Sequence, residues 1–352
     1  MTEGLRRISI LFLTGVLFLC AGCEFRPLSE PGNMNYVRIY VDEHLLNVTT
    51  GFYNDQFQHP AYHRPEIMRV VLFDHGSGEM VSERYLRNQG DDQRGHYYDG
   101  YILADAGCYD MLAYNFGTES TVVGNEYAFR PMYAYTHEIA PSLRSRLRSR
   151  NGSEPEAICY DADHLFVARA EGLELRCHTR IDTLRNLNGD TWFMAQSVVK
   201  SYYLQIRVRG AQYLSSASVL LTGMGRQVRL SDGDFISGGD ATLYFDTFNG
   251  SFTRDGETCD CIYSTFGTFG RLPDADNELT VSFELVTTYG TRLEKTLPMK
   301  DVFLREEALV HQWLILDDII DIPPPPNPPE AGAGGLNPSV EDWNEVDSAI
   351  PI

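Results

Sequence analysis

Apolar positions along this chain recur mostly at every second residue. In Tyr36–Val41, Val37, Ile39 and Val41 share one face, as the period-two geometry of a strand requires. Met68–Phe73 and Met80–Leu86 flank Asp74-His75-Gly76-Ser77-Gly78, a turn-forming run that predicts a hairpin. Tyr101–Leu103 and Tyr109–Tyr114 follow, joined through Asp105-Ala106-Gly107, and weaker strands are expected near Ala134 and at Leu165–Ala168. Residues 43–66 lack periodicity and contain His59-Pro60 and Arg64-Pro65, so they read as a long loop. A clearer series opens at Tyr202–Arg209. Its even positions are mainly apolar while Gln205, Arg207 and Arg209 face the other way, the pattern of an antiparallel sheet with one wet face. Ala217–Thr222, Thr242–Phe245, Ile262–Phe266 and Leu279–Thr287 continue it. Thr288-Tyr289-Gly290 turns the chain into Arg292–Leu297, and Leu309–Leu316 closes the series. With no helical pattern between the strands, the chain reads as all-β: two antiparallel β-sandwich domains, residues 36–190 and 196–322.

The two ends break this alternation. At the start, Arg6-Arg7 precedes an apolar run from Ile8 to Leu19 and then Cys20-Ala21-Gly22-Cys23. A basic step, a short hydrophobic core and small residues before a cysteine read as an export signal over residues 1–22. The Ala-Gly-Cys ending resembles that of bacterial lipoproteins, although Cys20 stands where leucine is commonest. That resemblance implies acylation of Cys23, which then heads a lipidated linker, residues 23–35. At the other end, Pro323–Pro326 and Pro328-Pro329 favour an extended spacer over residues 323–338. Beyond it, in residues 339–352, Val340, Trp343, Val346, Ile350 and Ile352 form an apolar series. A disordered tail rarely carries such residues; this one is expected to dock as a strand on a sheet edge, in its own molecule or another.

Composition narrows the partners. The 352 residues carry a formal charge of −20, and loss of Arg6, Arg7 and Glu3 with the signal takes it to −21. That excess disfavours nucleic acid and anionic membrane surfaces. The 20 Tyr, 18 Phe and 30 Gly suit strands and turns. With Cys23 committed to lipid, Cys108, Cys159, Cys177, Cys259 and Cys261 remain, an odd number that implies no disulfide framework.

The sequence carries no catalytic signature: no His-Glu-x-x-His, no phosphate-binding glycine loop and no Gly-x-Ser-x-Gly. His59 and His63 sit in a proline-bounded loop, and Cys259-Asp260-Cys261 lacks a second ligand pair, so it reads as a turn. Asp161-Ala162-Asp163 and Asp232-Gly233-Asp234 are fragments of calcium-loop patterns and read as turn residues. No cofactor or metal is expected beyond the lipid on Cys23. Arg144, Arg146, Arg148 and Arg150 form a basic run that reads as a solvated, protease-sensitive loop.

Three features together resemble a known family. They are Gly107-Cys108-Tyr109-Asp110-Met111-Leu112-Ala113-Tyr114-Asn115; the opening Tyr202–Arg209 with Gly210, Ala217–Thr222 and Gly223-Met224; and Val340-Glu341-Asp342-Trp343 followed by Ile350-Pro351-Ile352. In that order, after the lipoprotein-like start, they resemble the fimbrillin-like lipoproteins of type V pili in Bacteroidales. The resemblance implies tandem transthyretin-like (Greek-key) sandwiches, outer-membrane anchoring on the cell surface through lipid, and a non-enzymatic role as fimbrial anchor, minor or tip subunit. Its partners would be other fimbrial subunits. It also implies that cleavage after an arginine can free a groove in some relatives; here Arg38 lies inside the first strand and Arg26 lies close to Cys23. The alternative reading is a binder of glycan or host ligand on the same scaffold, with Tyr97, Tyr98 and Tyr101 beside His96 and Asp99 as an aromatic platform.

Overall fold

The computed structural model describes residues 33–43, 64–116, 118–144, 157–175, 181–236, 240–254, 256–272 and 279–326. Strand β1 (Met34–Val41) buries Val37, Ile39 and Val41 on one face. Strands β2 (Ile67–Asp74) and β3 (Met80–Leu86) form the expected hairpin. Asp74 Oδ1 accepts the Ser77 N–H at 2.7 Å, and Gly78 takes a φ of 72° that side chains with a Cβ disfavour. β4 (Asn88–Asp92), β5 (Gly95–Leu103) and β6 (Gly107–Phe116) follow. Then come β7 (Thr121–Gly124), β8 (Tyr133–Thr136), the short helix α1 (Pro141–Arg144) and β9 (Ala157–Tyr160). β10 (Phe166–Leu175), β11 (Ile181–Thr183) and β12 (Phe193–Ser197) end this half. Its main sheet runs β3-β2-β6-β10-β12-β1-β5-β4, with β11 also beside β1. The sheet folds over itself, so Val37 and Ile39, Val70 and Leu72, Tyr98 and Ile102, Met111 and Phe166 share one core.

The second half supplies β13 (Lys200–Arg209), β14 (Leu214–Gly225), β15 (Gln227–Arg229), β16 (Asp240–Asp246) and β17 (Phe248–Arg254). It continues with β18 (Glu257–Thr268), β19 (Thr280–Thr287) and β20 (Arg292–Pro298). Helices α2 (Lys300–Phe303) and α3 (Glu306–Val310) lead into β21 (Trp313–Asp321). Two sheets, β17-β18-β13-β21 and β20-β19-β14-β16-β9, pack across Leu204, Ile206, Val219, Leu243, Phe266, Phe283 and Leu314. The chain is therefore all-β with sandwich-like sheets.

Four details depart from the sequence reading. Strand β12 keeps Phe193 and Ala195 in the first core, so that half extends to Ser197, past the expected limit at residue 190. Strand β9, expected in the N-terminal sandwich, pairs in parallel with β16 of the second half. Leu309 and Val310, expected in the closing strand, end helix α3, and the strand starts at Trp313 after Gln312 takes a φ of 60°. Glu306 and Glu307 in that helix's first turn favour the helix through its dipole. Finally, Cys259-Asp260-Cys261 is no turn. It lies within β18, paired with Phe252, Ser251 and Gly250, while the chain turns at Gly256, whose φ is 84°.

The halves are joined by more than a linker. Strand β15 pairs with β8 and β8 with β7, a small sheet spanning both halves. A third core includes Phe73, Leu112, Tyr114 and Val167 from the first half, with Val228, Leu230 and Phe269 from the second. Of Asp161 and Asp163, both expected as turn residues, Asp161 binds across this junction and Asp163 braces the Ser120-Thr121 segment of its own half. Asp161 Oδ2 accepts the Gly267 N–H at 3.3 Å, while the Ala162 N–H donates to the Gly267 carbonyl at 2.9 Å. Asp163 Oδ2 accepts from the Ser120 hydroxyl at 2.9 Å, the Thr121 N–H at 3.1 Å and the Ser120 N–H. A Cβ on Gly267 would strike the Ala162 carbonyl, so only glycine fits this approach. Burial, with the nearby charge of Asp163, pushes the Asp161 carboxyl up to about 6 against the bond from the Gly267 N–H.

Candidate functional site

Strand β1 sits in the middle of its layer. It pairs with β5 over Met34–Tyr40 on one side, and with β11 and β12 on the other. Its inward residues Val37 and Ile39 are fully buried, each contributing roughly 1.5–3 kcal/mol by leaving water. Period-two geometry turns Tyr36, Arg38 and Tyr40 to the opposite face. Register sets Tyr36 opposite Tyr101, Arg38 opposite Asp99 and Tyr40 opposite Tyr97. On β4, Asn88 stands opposite Asp99, and Gly90 opposite Tyr97 leaves room for that ring.

These residues form one connected network. Tyr36 donates its hydroxyl proton to Asp99 Oδ2 at 2.5 Å. Arg38 donates to the same Asp99 oxygen at 3.2 Å and to the Tyr36 hydroxyl oxygen at 2.8 Å. Asn88 Nδ2 donates to the other Asp99 oxygen. Tyr40 donates to Asp92 Oδ2 at 2.6 Å, and Arg38 lies 3.6 Å from that carboxylate. The Arg38 guanidinium also lies 4.2 Å from the Tyr97 ring centre, and Arg94 lies 4.4 Å from that of Trp192. Tyr36 meets Tyr101 edge-on at 5.5 Å, and Tyr40 meets Trp192 at 5.8 Å. Burial and the bond to Asp99 push the Tyr36 hydroxyl up to about 12, so it stays a donor. Asp92 is held below the usual carboxylate range, first by the Tyr40 hydroxyl.

The structure divides the tyrosine set read from the sequence. Tyr97, Asp99 and Tyr101 share the outer face, whereas Tyr98 is buried in the core and His96 is 4% exposed. Sequence reading missed Tyr36, Arg38, Tyr40, Asp92, Arg94 and Trp192 as members. The alternation of β1 carried half of that signal; its pairing with β5 and β4 is a long-range fact.

Other expected sites lie elsewhere. Cys23, His59, His63, Arg146, Arg148, Arg150, Val340, Trp343, Val346, Ile350 and Ile352 lie outside the described residues. Arg144 ends helix α1. Cys108, Cys259 and Cys261 are free thiols. Among the described residues no group of three or more His, Cys, Asp or Glu side chains is arranged to hold a metal ion. Asp232-Gly233-Asp234 forms a turn in which Asp232 accepts the Asp234 N–H at 2.9 Å. The Gly107–Asn115 run is strand β6, central between β2 and β10, and Asn115 receives the Phe166 N–H at 2.7 Å.

Comparison with known proteins places this architecture. Residues 40–246 match the family described as Domain of unknown function (DUF5119). The chain belongs to that family. This DUF5119 chain is 22% identical, over 98% of both chains, to a candidate fimbrium anchoring subunit, Fim4B, of Bacteroides ovatus. That relative bears out the fimbrillin-like kinship expected from the sequence. The crystal structure of a candidate adhesin from Bacteroides ovatus shares its fold, at a TM-score of 0.53 and 17% identity, over 87% of this chain and 99% of that one. The fimbrial anchor protein Mfa2 of Porphyromonas gingivalis superimposes at a TM-score of 0.41 and 10% identity, over 80% and 88%.

Proposed function

We propose that this chain is a lipid-anchored fimbrial anchor or minor subunit, built on tandem transthyretin-like sandwiches and working through protein–protein contacts without enzymatic chemistry. The observation that carries the reading is the end-to-end match to Fim4B, which covers 98% of each chain. The setting of β1 supports an anchor that keeps its lipid. Removing β1, which is paired on both sides and carries two fully buried side chains, would open the first sandwich. Arg38 lies inside that strand, bonded to Asp99, and in this reading the strand stays in place. In this reading Cys23 holds the molecule in the outer membrane. The spacer 323–338 then presents Val340, Trp343, Val346, Ile350 and Ile352 to the sheet edge of a fimbrial neighbour.

The mature N-terminus tests this reading. Mass spectrometry of the protein from purified outer membranes should give an acylated Cys23, and a Cys23→Ala strain should release fibres into the medium. A mature chain starting after an arginine would instead identify a polymerising subunit. Deleting residues from Ser339 onwards should abolish assembly and leave the monomer's melting temperature unchanged. A large loss of monomer stability would assign the segment to its own molecule.

A further inference from the structure

We propose that the outer face of the β12-β1-β5-β4 layer binds a neutral polysaccharide, a role separate from fimbrial anchoring. The face joins two kinds of group that pyranose rings need. Aromatic surface comes from Tyr101, 42% exposed, with Tyr36, Tyr97 and Trp192 partly exposed beside it, and Leu103 extends it at 50% exposed. Sugar C–H faces pack on such rings, while the amphipathic tyrosines keep a polar tip for hydroxyls. Hydrogen-bonding groups come from the exposed Asn88 and Asp92 and the partly exposed Arg38, interleaved with the rings by strand register and held by the buried Asp99. Their mutual bonds hold them in place before a ligand arrives, which lowers the ordering cost of binding.

Charge decides between ligand classes. Arg38 and Arg94 are balanced on this face by Asp92 and Asp99, so it is locally neutral within a chain of net charge −20. A polyanion finds no excess of cations here and is repelled by the molecule as a whole. A neutral polyol meets neither penalty, and each exposed lone pair or N–H on the face can exchange water for a sugar hydroxyl. Tyr97 and Tyr101 are four residues apart on β5, about 13 Å, so the face matches a run of several rings better than a single sugar.

Native electrophoresis of the full-length protein through gels containing laminarin, yeast mannan or xyloglucan tests the proposal, with hyaluronan as the charged comparison. At least one neutral polymer should retard the protein and hyaluronan should not. Tyr101→Ala and Trp192→Ala should each weaken binding about tenfold, the scale of one lost aromatic contact, while Tyr101→Phe retains it. Melting temperatures identify any variant that merely unfolds; Tyr101 is the more exposed ring and supplies the cleaner comparison. No retardation by any neutral polymer, equal retardation by hyaluronan, or unchanged binding in both alanine variants would overturn the proposal. Binding of purified fimbriae that is lost in Tyr101→Ala, with no polymer bound, would reassign the face to protein contact. Fibre release in the Cys23→Ala strain is read separately, so failure of the anchoring role leaves this result intact.

Discussion

Asp161 is the residue whose chemistry is most altered by the fold. Its carboxyl titrates near 6 instead of 3.8 because it is buried at the junction. The folded protein therefore holds more protons than the unfolded chain between those values, and stability rises as pH falls from 7 towards 4. Asp161→Asn removes the ionisation and keeps an acceptor for the Gly267 N–H. It should stabilise the protein at pH 7 by about 1–3 kcal/mol, with the gain vanishing near pH 4; denaturant melts at both values check this. Asp99 matters through its hydrogen bonds. It accepts from Tyr36, Arg38 and Asn88, so Asp99→Ala leaves donors unpaired and should cost about 1–3 kcal/mol. The same melts at pH 7 read that loss.

At the scale of elements, β1 is the strand on which the first half depends. Ile39→Ala opens a cavity in a fully buried position and should cost about 2–5 kcal/mol in chemical denaturation. Protection follows from pairing: Arg38 lies in a strand bonded on both sides. Limited trypsin digestion of the folded protein should leave the Arg38–Ile39 bond intact and cut first within the arginine-rich run 144–150, where the sequence concentrates sites. Early cleavage after Arg38 would show that β1 detaches readily, contrary to an anchor that keeps it. Elements were legible where apolar and polar positions alternate, as in β1, β13 and β19, although the face of β13 read as wet is covered, with Tyr203 3% and Gln205 1% exposed. β4, with the sequence Asn-Gln-Gly-Asp-Asp, has no apolar residue. It exists because β5 offers it an edge, which no local pattern records.

Across the whole molecule, the shared core and the exchanged strands couple the two halves. Phe73 and Phe269 belong to one cluster, and β9 completes a sheet of the other half. Calorimetry should accordingly give one unfolding transition; two well-separated transitions would show that the junction contributes little. Gly267→Ala forces a side chain against the Ala162 carbonyl. It should cost about 1–3 kcal/mol and is the variant expected to split the transition.

The sequence by itself determined the all-β class, and its motifs carry the resemblance to fimbrillin-like proteins. The class rests on near-neighbour spacing, and period-two alternation is written directly into the chain. It also identified Tyr97, Asp99 and Tyr101 as chemically notable, but grouped them with Tyr98, which alternation sends into the core. Only the tertiary structure brought Arg38 to Asp99 and Asp92, set Trp192 against Tyr40, and bound Asp161 to Gly267. Those contacts join residues far apart in the chain. Their energy comes from register and burial, which appear only when the sheets close.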